Sequence, residues 1–124
     1  PLNSHAATDP LGNPGADLYP DIASDGMGNW IAVWISQVDL DGLIGTDEDI
    51  LYSVSTDHGA TWSPTAALNT NAAMDSGGDQ FPAIASDGRG HWVTLWNSNA
   101  NIGGVPGPGM DILAAGSDDN GATW

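Results

Sequence analysis

The run Trp30-Ile31-Ala32-Val33-Trp34-Ile35 is apolar on both alternating faces, with Trp30, Ala32 and Trp34 on one and Ile31, Val33 and Ile35 on the other. A strand wetted on one side would interleave polar residues, so this pattern predicts a strand in a sheet covered on both sides. The apolar stretches around it are short. Pro20 to Ala23 predicts a preceding strand, and Ser24-Asp25-Gly26-Met27-Gly28 a hairpin turn in which glycine accepts positive φ. Ile50 to Ser55 predicts a third strand. Trp62 to Leu68 opens a fourth, with Pro64 tolerated because an outermost strand is an edge.

The same pattern recurs. Tyr19-Pro20-Asp21-Ile22-Ala23-Ser24-Asp25-Gly26 returns as Phe81-Pro82-Ala83-Ile84-Ala85-Ser86-Asp87-Gly88, 62 residues later. Asp49-Ile50-Leu51 returns at the same interval as Asp111-Ile112-Leu113, while Leu2-Asn3 pairs with Leu68-Asn69 at an interval of 66, so the first linker is four residues longer. A repeat of this length holding four short antiparallel strands is the anatomy of a propeller blade. The predicted fold class is therefore all-β, a β-propeller with two four-stranded antiparallel blades per chain. The first repeat covers 1–62, with an outer-strand piece at 1–3 and a linker at 4–18. The second covers 63–124, with the outer strand of the first blade at 62–69 and a last blade lacking most of its fourth strand.

Ser55-x-Asp57-x-Gly59-x-Thr61-Trp62 and Ser117-x-Asp119-x-Gly121-x-Thr123-Trp124 repeat one eight-residue motif at blade spacing. Aspartate can accept hydrogen bonds from its own turn, glycine supplies the turn geometry, and tryptophan plugs the space between strands. Both copies match the Asp box without a mismatch. Over nearly its whole length the chain resembles the sialidase-type Asp-box (BNR repeat) β-propeller superfamily, in particular the long repetitive surface or secreted proteins of bacteria. The resemblance implies that all ten motif residues are structural and lie away from any catalytic face.

It also implies what a sialidase would need: three arginines for the substrate carboxylate, a tyrosine–glutamate nucleophile and an aspartate acid/base. The chain has one arginine, Arg89, one glutamate, Glu48, and two tyrosines, Tyr19 and Tyr52. Its histidines, His5, His58 and His91, stand in no triad-like context. No catalytic residue is assigned. The expected function is a non-catalytic extracellular module, structural or binding a carbohydrate or protein. The alternatives are a fragment of an exo-sialidase whose catalytic residues lie elsewhere and a self-assembling filament or coat protein.

Charge narrows the partners. Sixteen acidic residues against one basic give a formal charge of −15, which excludes nucleic acid and anionic membrane surfaces as partners, since both need basic patches. No stretch is long and apolar enough to insert in a membrane, and the N-terminus does not read as a signal peptide. With no cysteine there is neither a disulfide nor thiol chemistry. The balance suits the outside of a cell or its surface.

One cluster suggests a cofactor. Asp39, Asp41, Asp47, Glu48 and Asp49 crowd a single loop, and calcium takes six to eight oxygen ligands of this kind. The spacing departs from an EF-hand, and the second repeat keeps only Asp111, so the alternative is a solvated acidic loop that holds no ion. A second oxygen-rich stretch runs from Asp9 through Asn13 to Asp17. Two blades do not close a ring, so the expected partner is a further copy, with three or four chains giving six or eight blades, or covalent neighbouring repeats.

Overall fold

In a computed structural model, which describes residues 2, 16–100 and 109–124, the chain is all-β among the described residues. The expected outer-strand piece at 1–3 (except Leu2), most of the linker at 4–18, His5, and the stretch from Asp9 through Asn13 lie outside the described residues.

Among the described residues, seven strands form two antiparallel sheets. The first has the order β1 (Leu18–Ser24), β2 (Trp30–Ser36), β3 (Asp49–Ser55) and β4 (Ala66–Ala67). The second has the order β5 (Asp79–Ser86), β6 (Trp92–Ser98) and β7 (Asp111–Ser117). Strands thus pair in sequence order, as in a blade built outward from its first strand.

The hairpins at the start of each sheet share one device. Asp25 Oδ1 accepts from the backbone N–H groups of Met27 and Asn29, at 2.7 and 3.1 Å, and Asp87 Oδ1 accepts from those of Arg89 and His91, at 2.7 and 3.3 Å. Gly26 and Gly88 take φ of 75° and 74° there. The two first strands also share a bulge, between Leu18 and Asp21 and between Gln80 and Ala83. At each bulge an aromatic residue, Tyr19 or Phe81, takes a positive φ of 50° or 55°. A bulge re-aims side chains, and in both strands the re-aimed ring is half exposed.

The fourth strand is shorter than the sequence suggests. Only Ala66 and Ala67 pair with β3. Before them, the Ser63 hydroxyl accepts from Val54 N–H at 3.0 Å, and Pro64 has no N–H to give. After them, Ile50 N–H is taken by the Asn69 side chain at 3.1 Å. Backbone bonds from Ser63 N–H to Val54 and from Leu68 N–H to Ile50, at 2.8 and 2.7 Å, still tie the segment to β3 on either side, with these side chains taking the β3 N–H groups.

The doubly apolar strand lies where its pattern placed it. Ile31, Val33 and Ile35 pack with Ile50 and Leu68 against Trp92 and Trp96 of the second sheet. The opposite face, Ala32, Trp34 and Leu51, is covered by Leu40 and Ile44 from the β2–β3 loop and by Ala72. The sheets are further tied by Ile84 N–H, which donates to Asp21 Oδ2 at 2.9 Å, and by Trp124, edge-on to Tyr52 with ring centroids 5.6 Å apart.

Candidate functional site

Both eight-residue motifs form the same closed turn. Ser55 Oγ donates to Asp57 Oδ1 at 2.8 Å and accepts from Gly59 N–H at 2.9 Å. Asp57 then takes the Thr61 N–H at 2.8 Å and the Thr61 hydroxyl at 2.6 Å. Ser117, Asp119, Gly121 and Thr123 repeat every one of these contacts, at 2.8, 2.9, 2.9 and 2.7 Å. The hydrogen bonds from threonine lead in pulling both carboxyls down to about 2. An aspartate so saturated with donors is a poor proton carrier. Trp62 packs into the core around Trp34, and Trp124 into the one between the sheets.

The acidic loop divides in two. Asp39 is a turn former: its backbone carbonyl accepts from Gly42 and Leu43, at 3.1 and 2.9 Å, and its side chain from Gly45 N–H at 3.0 Å. Asp41 is exposed, with φ of 62°. Glu48 accepts a short hydrogen bond from Gln80 Nε2. These three are not among the carboxylates that converge.

Asp47 and Asp49 do converge, and they meet a residue the sequence reading missed. One oxygen each from Asp47, Asp49 and Asp75 lie within 4.8 Å of one another. Asp75 comes from the β4–β5 connection. Asp49 is only 1% exposed. Asn69 Nδ2 donates to Asp49 Oδ1 at 2.8 Å and to Asp79 Oδ2 at 2.7 Å, and Asn71 Nδ2 donates to Asp75 Oδ2 at 2.6 Å. Burial first, and then the neighbouring carboxylates, push Asp49 up to about 7 against the opposing pull of Asn69. Burial likewise raises Asp79 to about 6, and burial with Asp47 raises Asp75.

A sialidase-like catalytic set does not assemble among the described residues. Arg89 is exposed in the β5–β6 turn. Glu48 binds Gln80 and not a tyrosine. His91 pairs with Asp87 at 2.7 Å on the surface.

No protein-family model and no curated protein matches the chain. Solved structures do. A Hadza microbial sialidase matches 88% of this chain with a TM-score of 0.65 and 21% identity, and a Penicillium chrysogenum alpha-L-arabinanase complexed with arabinobiose matches 85% with a TM-score of 0.59 and 17% identity. The fold is therefore that of β-propeller blades. The chain spans 25% and 28% of the lengths of these two chains.

Proposed function

We propose that the chain is a non-catalytic extracellular propeller module that binds carbohydrate through Tyr19 and Phe81. One observation carries this. The two rings pack as a tilted pair, with centroids 4.8 Å apart and planes at 57°, on the first strands of adjacent blades, and are 54% and 51% exposed. Each is turned outward by a bulge with strained backbone, and a strain maintained in both repeats marks a position held for use. Paired exposed aromatic faces are a stacking platform for sugar rings, and the hydrolase-like fold supports a glycan over other ligands by analogy. The test is calorimetric titration with oligosaccharides chosen from a glycan array. Tyr19→Ala or Phe81→Ala is expected to weaken binding at least tenfold, and binding unchanged in both variants overturns the platform. Turnover of a fluorogenic sialoside or arabinoside by the chain overturns the non-catalytic part.

A structural role with a second copy is favoured by a different observation. The exposed residues Val93, Leu95 and Ile112 of the second sheet are the repeat equivalents of Ile31, Val33 and Ile50, which are fully buried between the sheets. On the first sheet, Ile22 is half exposed where its equivalent, Ile84, packs into the core. The chain thus carries both halves of its own inter-blade contact, and a further copy fits head to tail. Native mass spectrometry is expected to show a discrete oligomer that Leu95→Asp dissociates. A strictly monomeric chain at high concentration would exclude this role.

A further inference from the structure

The carboxylates at the crossing between the blades are placed as ligands, not as a solvated acidic loop. Three features separate the two. First, three buried oxygens, Asp47 Oδ2, Asp49 Oδ2 and Asp75 Oδ1, have no hydrogen-bond partner. Leaving such a group unpaired costs about 1–3 kcal/mol, more when it is charged. Second, two of the three carboxylates have their other oxygen fixed by an asparagine, Asn69 on Asp49 and Asn71 on Asp75. Outer partners of this kind orient ligands towards a metal. Third, among the described residues nothing positive answers the charge: the chain's one arginine lies in the β5–β6 turn, and the single ion pair among them is His91 with Asp87. A buried anionic cluster with no cation of its own is unstable as it stands.

We propose that Asp47, Asp49 and Asp75 bind one calcium ion, which clasps the β2–β3 loop of the first blade to the connection that enters the second. The donors are all carboxylate oxygens, which selects a hard cation over zinc or copper. Three oxygens within 4.8 Å of one another can all reach one ion at the roughly 2.3–2.6 Å of calcium–oxygen ligation. Magnesium would draw opposed ligands to about 4.0–4.2 Å and keep most of its water. Asp79 stands just behind: its Oδ2 holds Asn69, and its buried Oδ1 has no hydrogen-bond partner. The second repeat has Gly109 in place of Asp47, so this clasp belongs to the junction inside the chain.

The experiment is titration of the chelator-treated 124-residue chain with calcium chloride at physiological ionic strength, by calorimetry and thermal unfolding. The expected result is one calcium per chain and a Tm raised by roughly 5–15 °C at a hundredfold excess over Kd. Asp75→Asn and Asp47→Asn, both partly exposed and isosteric, are expected to lower affinity at least roughly 10–100-fold while tryptophan fluorescence stays native. Asp41→Asn, in the same loop but outside the cluster, is expected to change it less than about twofold. Diffuse uptake of many ions with no Tm rise overturns the proposal. So does binding that Asp41→Asn weakens and Asp75→Asn does not, and so does magnesium binding as tightly as calcium.

Discussion

Gly59 and Gly121 occupy the same place in their motifs and the same backbone conformation, φ of 82° and 81°, yet their surroundings differ. A Cβ on Gly59 would meet nothing, whereas one on Gly121 would stand 2.5 Å from Ile31 Cδ1 and 3.1 Å from Val54 Cγ2. Gly59→Ala is expected to cost only the strain of a left-handed alanine, about 1 kcal/mol. Gly121→Ala adds overpacking against the first blade and should cost about 2–4 kcal/mol. Urea unfolding of the two variants tests the difference, and equal costs would mean that the second motif does not press on the first sheet. The motif aspartates make a pH prediction. Their folded values near 2 lie below the ordinary 3.8, so the native state holds fewer protons between these limits. The stability they contribute is complete above about pH 4 and drains away as pH falls towards 2. The urea midpoint should drop across that window, and the Asp57→Asn/Asp119→Asn double variant should flatten the drop.

At the scale of the strand, what was legible depended on how local the cause was. The β2 segment announced itself because its two apolar faces lie within six residues, and the motif turns because every hydrogen bond in them closes within four residues. The fourth strand was overread: Trp62 to Leu68 has an extended composition, but only Ala66 and Ala67 keep the paired register, because Pro64 has no N–H and the side chains of Ser63 and Asn69 take the Val54 and Ile50 N–H groups. Asp75 was invisible for a different reason. Its partners lie 26 and 28 positions upstream, and only the path of the β4–β5 connection brings it to them. Asp39 and Asp41 looked like equal members of the acidic loop because composition cannot tell a turn former from a ligand. Tyr19 and Phe81 were seen as a repeated pair, but the bulge that turns them outward has no signature in composition.

At the scale of the molecule, equal residues in unequal settings give the sharpest test of the blade contact. Ile50 is fully buried and its equivalent Ile112 is 68% exposed. In the monomeric chain, Ile50→Ala is expected to cost about 2–5 kcal/mol and Ile112→Ala no more than about 0.5 kcal/mol. Chemical denaturation at low and high protein concentration checks this. If copies stack, the Ile112→Ala cost should climb towards that of Ile50→Ala as concentration rises, and a gap that never narrows would show that this face stays in water.

The repeated contact has a consequence for how such a chain can change over generations. Because the face presented by one unit is chemically the face received by the next, duplicating or deleting a 62-residue unit creates no junction of a new kind. Blade number is then free to drift by recombination between the gene segments that encode the repeats. Only features that straddle one particular junction record its place in the series. Asp47 and Asp75 are such a mark, since a duplicated second unit, with Gly109 at the corresponding position, would carry the stacking surface forward and leave the carboxylate pair behind.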